Sequence, residues 1–175
     1  MTEINASRER ILDAAERRAR RGGYNGFSFR DLASDVGVKS SSVHYHFPTK
    51  ADLAEALTTR YAAKALETLG APEAIDGREA IAKVGALFRG ALTEQDAMCL
   101  CGVFGAERDA LPEGVDAAVA RYFRRLLAYL ETAFGPDWTG PTPAAVLARL
   151  EGALILARVL RDPGVFESAV AGIDA

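Results

Sequence analysis

Residues 37–50 read GVKSSSVHYHFPTK, a polar segment punctuated by a glycine and a proline. Gly37 supplies a left-handed turn that only glycine adopts at little cost, and Pro48 ends any helix that precedes it. Residues 40–47 are therefore predicted to form a short helix. Val43 and Phe47 lie four residues apart, so they share one face, which we expect to pack against neighbouring helices. The opposite face is left to serines, histidines and a tyrosine.

Two further helices are predicted before this segment. Over residues 8–21 the apolar side chains recur at helical spacing, at Ile11, Leu12, Ala15 and Ala19, and Gly22 and Gly23 end the helix. The sequence SFRD at residues 28–31 has the form of a capping box and begins a second helix over residues 29–36. Two short helices joined by a tight glycine turn are the outline of a helix-turn-helix.

The rest of the chain continues the helical pattern, and no segment has the sustained two-residue alternation of a strand. Caps and breakers predict a fourth helix from about residue 50 to 69 and further helices over 77–93, 97–109, 112–134 and 143–161, with a short ninth from 163. The predicted fold class is all-α. It comprises a three-helix head over residues 1–50 and a larger C-terminal helical bundle over residues 51–175, with about nine helices in total.

Charge is unevenly distributed along the chain. Residues 1–60 hold ten Lys and Arg against eight Asp and Glu, a net of +2, whereas the remainder holds 11 against 16, a net of -5. A basic head on an acidic body favours a polyanionic partner for the head, although an ordinary solvated surface would give the same balance. The chain has no apolar run near the ~18 residues of a membrane span and no signal-peptide pattern at its start. We therefore expect a cytoplasmic protein without a membrane partner.

Several short motifs in the first third occur in the same order as in a known family. They are Ile11-Leu12 followed by Ala14-Ala15, Gly23-Tyr24, Arg30-Asp31-Leu32-Ala33, Gly37-Val38, and Tyr45-His46-Phe47-Pro48 followed by Lys50. Over roughly the first 55 residues the chain resembles the TetR family of bacterial transcriptional regulators. The resemblance implies a homodimeric repressor that binds a palindromic double-stranded DNA operator and is released by a small-molecule effector.

The polar face of the third helix then reads as a DNA-contacting surface. Serine hydroxyls both donate and accept hydrogen bonds and are short enough to let the backbone approach base edges. Arg30 is expected to contact a guanine or a phosphate, and Lys50 to meet a phosphate at the start of the fourth helix. The candidate DNA-binding residues are Ser28, Arg30, Lys39, Ser40, Ser41, Ser42, His44, Tyr45, His46 and Lys50.

Metal, cofactor and catalytic roles are not expected. His44 and His46 are two residues apart, a spacing that points their side chains in different directions on a helix, so a shared metal is disfavoured. A cysteine-dependent enzyme is a remote alternative, because both histidines lie in the head, distant in sequence from the two cysteines. No phosphate-binding loop is present.

The resemblance places an effector pocket among the fifth to seventh helices. The candidate lining residues are Phe88, Cys99, Cys101, Phe104 and Tyr122. Buried core positions would explain the same residues, since free cysteines and aromatic residues at helical spacing are commonly buried. A second alternative is a redox or electrophile sensor, in which Cys99 and Cys101 near the start of a helix carry the signal.

The eighth helix has a broad apolar face. The resemblance implies that the last two helices of each subunit form a four-helix bundle between two copies of the chain. The candidate interface residues are Ala145, Val146, Leu150, Ala153, Leu154 and Ala157. An intrachain core would use the same residues, so both readings stand at this point.

Overall fold

The structure, a computed structural model, describes residues 3–173. Within this range it consists of nine α-helices and no strands, which confirms the predicted all-α class. The helices are α1 Glu3–Gly22, α2 Phe29–Val36, α3 Ser40–His46, α4 Lys50–Leu69, α5 Gly77–Thr93, α6 Leu100–Ala106, α7 Glu113–Phe134, α8 Pro143–Leu160 and α9 Pro163–Val170. Short 3₁₀ turns lie at Tyr24–Gly26, Pro72–Ala74 and Arg108–Ala110.

The helices are distributed over two compact units. The first contains the residues up to Ala62 together with Leu100–Ala120, and the second contains Ala63–Cys99 together with the residues from Arg121 onward. Helices α4 and α7 contribute residues to both units. These units are defined by packing, so the functional boundary expected between residues 50 and 51 stays a prediction.

The first unit is built around the apolar face of α1. Ile11, Leu12 and Ala15 are fully buried, as are Leu32 of α2 and Val43 of α3. Helix α1 begins at Glu3, five residues before the predicted start at residue 8. The prediction counted apolar positions only from Ile11, and the first turn of α1 is solvent-exposed, including the isolated Ile4, which is itself 56% exposed.

An ion-pair cluster ties α4 to α1 within this unit. The guanidinium of Arg60 lies 2.8 Å from Glu9, 2.8 Å from Asp13 and 3.1 Å from Glu16. The three acids lie on one face of α1, spaced three and four residues apart. Because Arg60 is mostly buried, the cluster fixes the packing of the two helices more firmly than an exposed pair would.

Helix α6 is shorter than the predicted helix over residues 97–109. Asp96 takes a left-handed backbone conformation with φ of 43°, so the chain is still turning where the prediction began the helix. After Ala106 the chain tightens into the 3₁₀ turn at Arg108–Ala110 and becomes extended at Leu111, before Pro112.

The second unit has its core between α5, α8 and α9. Phe88, Leu150 and Phe166 are buried, and Arg89 of α5 forms a bidentate pair with Glu167 of α9 at 2.7 and 2.9 Å. Arg149 of α8 donates to the carbonyls of Ala169 and Ala171 and so holds the end of α9. None of the helices within residues 3–173 is both long and apolar enough to cross a membrane.

Candidate nucleic-acid interface

The turn between α2 and α3 is a glycine-dependent helix end. Gly37 has φ of 70° and ψ of 37°, and its N–H donates to the carbonyls of Ala33 and Ser34. The N–H of Val38 donates to the carbonyl of Ala33 at 2.9 Å. These bonds satisfy the last carbonyls of α2 and set the direction in which α3 leaves. A side chain with a Cβ would be strained at this φ, so glycine is required here.

Helix α3 has one anchored face and one open face. Val43 is 0% exposed and Phe47 is 2% exposed, so both anchor the helix in the core of the first unit. The open face carries the exposed residues Ser40, Ser41, His44 and Tyr45, with Ser42 and His46 half-buried. Tyr45 is 73% exposed, which is unusual for a large aromatic side chain on a well-packed helix.

A shallow groove of about 380 Å³ lies beside this open face. It is lined by Ser41, Ser42, Tyr45 and His46 of α3 and by Ile4 and Ser7 of α1. Sequence reasoning missed Ile4 and Ser7, because it began the first helix at residue 8. Their one detectable signal was Ile4, which lies seven residues before Ile11 and so continues the apolar stripe of α1, although it is 56% exposed.

Aromatic contacts orient the two histidines. The ring of His44 meets Phe29 edge-on with 4.6 Å between centroids, and His46 meets Tyr45 edge-on at 5.3 Å. Neither histidine belongs to a group of three or more His, Cys, Asp or Glu residues that could hold a metal, within the range that the structure describes. Both histidines are therefore held on the surface by contacts with neighbouring aromatic rings.

At the start of α2, Arg30 is exposed and Ser28 caps the helix. The N–H of Asp31 donates to the Ser28 hydroxyl at 3.2 Å, and the N–H of Ser28 donates to the Asp31 carboxylate at 2.9 Å. The hydrogen bonds from the hydroxyl and the backbone of Ser28 lower the pKa of Asp31. Arg30, the second residue of α2, is exposed, and so is Lys39, which precedes α3.

Lys50 turns toward the protein. Its Nζ lies 4.6 Å from the centre of the Tyr24 ring and 4.9 Å from that of Phe27, an arrangement that stabilises a cation by its attraction to the ring faces. Burial lowers the pKa of Lys50, and the carboxylate of Glu107 opposes that effect. The same Glu107 accepts a hydrogen bond from the N–H of Tyr24 at 2.7 Å. Sequence reasoning did not foresee this packing, because Glu107 is 57 residues distant along the chain.

This sequence and fold are similar to those of known proteins. The family model for bacterial regulatory proteins of the tetR family matches residues 11–57, which include α2, α3 and the turn between them. A solved TetR transcriptional regulator from Legionella pneumophila is 29% identical and superposes with a TM-score of 0.81, over 95% of this chain and 94% of that one. These matches support the TetR family for this chain.

Two more relatives agree with this assignment. A TetR-family regulator from Agrobacterium tumefaciens is 27% identical, with a TM-score of 0.78 over 97% of this chain and 96% of that chain. The uncharacterised HTH-type transcriptional regulator YezE of Bacillus subtilis is 31% identical over 116 residues. That match spans 64% of this chain and 58% of the Bacillus protein, less than two thirds of its length.

The five pocket candidates are all deeply buried. Phe88, Cys99 and Tyr122 belong to the second unit, where the Cys99 thiol lies 4.0 Å from the Tyr122 hydroxyl. Cys101 and Phe104 belong to the first unit, where Phe104 meets Tyr24 edge-on at 6.2 Å. The five candidates are therefore divided between the two units.

The thiol-sensor alternative is not supported. Cys99 is 2% exposed and Cys101 is 0% exposed, whereas a sensing cysteine needs access to its oxidant or electrophile. Cys99 also precedes α6, which begins at Leu100, and so is not part of that helix. Neither thiol has the solvent exposure of a reactive cysteine.

The outward face of α8 is not the face that carries most of the predicted interface residues. Val146, Leu150, Ala153, Leu154 and Ala157, five of the six predicted interface residues, are buried by their own chain, and Ala145 is exposed. A different set of large apolar side chains faces outward: Ile155, Leu156, Val159 and Leu160 are 48%, 52%, 75% and 61% exposed. We call these four residues the α8 outer patch.

Proposed function

We propose that this TetR-family chain is a cytoplasmic transcriptional regulator that binds double-stranded DNA through the open face of α3. The observation that carries the proposal is the contrast between the two faces of that helix. Its inner residues Val43 and Phe47 are buried, while Ser41 and Tyr45 are held outward on a rigid element. Rigid support is what a surface that reads base edges requires, because hydrogen-bond geometry decides which base is accepted.

The chemistry of the open face fits a DNA groove. Serine hydroxyls serve as donors or acceptors toward either base of a pair, and an exposed tyrosine adds a ring with a hydroxyl at its tip. Ile4 in the adjoining groove offers an apolar contact of the kind that suits a thymine methyl group. Arg30 at the start of α2 supplies the exposed cation that a phosphate or a guanine would accept.

We further propose that the regulator acts as a homodimer on a palindromic operator. The α8 outer patch is apolar and lies on one side of the helix, with residues 155 and 159, and 156 and 160, one turn apart. Such a patch on an otherwise well-packed unit is a site for burial against another surface. A second copy supplies a matching surface by two-fold symmetry, and two identical heads suit two half-sites.

The proposed signal is a small molecule that binds the body of the protein and releases the repressor from DNA. Helix α4 starts beside the head and contributes residues to both units, so it is the element proposed to transmit the change. The effector shifts the equilibrium only by its differential affinity for the two states, typically ~1–3 kcal/mol. By reciprocity, operator DNA weakens effector binding by the same factor, which calorimetric titration with and without DNA measures.

Arg30→Ala tests the DNA-binding proposal. The matched control is Arg78→Ala, because Arg78 is also an exposed second residue of a helix whose N-cap side chain accepts a backbone hydrogen bond. We expect Arg30→Ala to weaken binding to labelled duplex DNA and to reduce the slope of log K against log salt by about 0.9 for each phosphate that is no longer neutralised. If Arg30 contacts a base, discrimination at one base pair also falls by ~1–3 kcal/mol.

The control variant should bind the same duplexes like the parent at every salt concentration. Equal binding by the parent, Arg30→Ala and Arg78→Ala would remove Arg30 from the interface. A parent protein that binds no duplex at moderate salt would overturn the proposed function itself.

A further inference from the structure

The end of α1 carries four arginines within five residues, in the sequence RRARR at residues 17–21. The structure gives two of them intramolecular partners. Arg18 forms a bidentate pair with Asp35 of α2 at 2.6 and 2.9 Å. Arg20 is only 4% exposed, lies 3.6 Å from Glu16 and covers the ring of Tyr61.

The other two arginines, Arg17 and Arg21, are exposed and point into a groove. The groove has a volume of about 600 Å³ and is lined by Arg17, Arg18, Arg21, Gly22, Gly26 and Asp35. Within the described range, the side chain of neither Arg17 nor Arg21 makes a hydrogen bond or a close ion pair. Arg17 acts on Asp35 only at longer range, adding to the hydrogen bond from Arg18 that chiefly lowers the pKa of Asp35.

The residues that line this groove carry an excess of positive charge. Three guanidinium groups face one carboxylate, and that carboxylate is already held by both ends of the Arg18 fork. Like charges four residues apart on a helix cost about 0.2–0.5 kcal/mol, and the helix C-terminus offsets part of this cost for a cation. An anion bound between Arg17 and Arg21 would offset the remaining repulsion and form a charge-assisted hydrogen bond with each guanidinium group.

We propose that Arg17 and Arg21 bind a backbone phosphate of double-stranded DNA, as a contact separate from the open face of α3. The proposal rests on the proposed DNA-binding function. Gly22 and Gly26 have no side chains, which leaves the groove open to a phosphate group between the two guanidinium forks. Gly26 is two residues before Ser28, which caps α2 and its exposed Arg30.

The position along α1 makes this a distinct contact. Arg17 is ten residues beyond Ser7, which lines the groove beside α3, and ten residues of helix span about 15 Å. The two sites therefore meet different phosphates of a duplex. Both add to affinity through release of counterions, without reading sequence.

The test uses a fluorescently labelled, mixed-sequence duplex of roughly three helical turns, titrated by anisotropy at several KCl concentrations. The Arg17→Ala/Arg21→Ala variant should bind more weakly, and its salt slope should fall by about 0.9 for each phosphate that the two arginines neutralise in the parent. Arg17→Lys/Arg21→Lys keeps both charges and should largely restore the slope. The control is Arg121→Ala/Arg125→Ala, which removes two exposed arginines with the same spacing on α7.

The outcomes separate this proposal from the proposed function. If the parent binds the duplex and the Arg17/Arg21 alanine variant has the same slope, the phosphate contact is wrong while DNA binding stands. An equal loss in the α7 control would also overturn it, because the effect would then be one of net charge. If inorganic phosphate at constant ionic strength raises the parent's melting temperature and the slopes stay equal, the groove binds a free anion instead. A parent that binds no duplex overturns both.

Discussion

At the scale of single residues, the most unusual environment belongs to Glu151 of α8. Both of its carboxylate oxygens are buried, and the neighbour that acts on them is the weakly donating Cys99 thiol. Burial raises the pKa of Glu151 from 4.5 to about 7, against an opposing effect of the neighbouring Cys99 thiol. A buried carboxylate with little hydrogen bonding is costly. In the folded protein, Glu151 therefore keeps its proton at pH values well above the usual pKa of a glutamate.

Glu151→Gln should remove a pH dependence of stability. A raised pKa means that the folded state binds the proton more tightly, so the stabilisation is complete below pH 4.5 and is lost as pH rises through about 7. The unfolding free energy of the parent should therefore fall over this interval, relative to the variant, by at most about 3 kcal/mol. Urea unfolding at several pH values measures the difference.

The matched control for this prediction is Glu131→Gln, which changes an exposed glutamate on α7. It should follow the pH profile of the parent. Parallel profiles for the parent and Glu151→Gln would mean that Glu151 ionises in the folded protein as it does in the unfolded chain.

Single-residue roles were only partly predictable from the sequence. The turn at Gly37 and the buried positions of Val43 and Phe47 follow from local rules on glycine and helical spacing. The position of Lys50 against Tyr24 and Phe27 does not, since it depends on residues distant in the chain. The same holds for Glu151, whose burial is set by the packing around α8.

At the scale of helices, boundaries were predictable where the backbone carries its own stop and start signals. Helix α2 was predicted with the bounds that it has, because a capping box begins it and a glycine ends it. The bounds of α1 and α6 were wrong, since the first turn of α1 is exposed and the left-handed aspartate before α6 leaves no periodic signal.

Helix α8 illustrates a limit of periodicity. It is apolar on more than one side, so the spacing of its apolar residues cannot tell which side meets the core. Packing decides: Val146, Leu150 and Leu154 face inward and the α8 outer patch faces outward. We therefore propose the α8 outer patch as the dimer interface, and its residues are not the ones predicted from the sequence.

Val159→Glu tests that hypothesis, because Val159 is the most exposed residue of the patch. A two-fold interface contains the substitution twice, once from each subunit, so the two buried charges should weaken dimerisation at least 100-fold, about 3 kcal/mol. Sedimentation velocity over a range of concentrations measures the change.

Ala86→Glu, an exposed substitution on α5, serves as the control for Val159→Glu and should leave association unchanged. A Val159→Glu protein that sediments like the parent at every concentration would exclude the patch from the dimer interface.

At the scale of the whole molecule, the sequence was sufficient for the fold class, the helix-turn-helix and the family. These depend on caps, breakers and seventeen motif positions within the first third of the chain. The grooves were not predictable, because each joins residues from separate helices or turns: Ile4 with Tyr45 in one, and Arg17 with Gly26 in the other. The division of the pocket candidates between the two compact units also depends on tertiary packing.

Hydroxyl-radical footprinting of the parent protein on a duplex selected from genomic fragments tests the central claim most directly. A homodimer that reads DNA with two copies of α3 should protect an imperfect palindrome, with half-site centres about one helical turn apart, ~34–36 Å, or a multiple of that spacing. The protection should be symmetric about the dyad on the two strands. A single protected segment without dyad symmetry, or no protection on any selected fragment, would contradict the account.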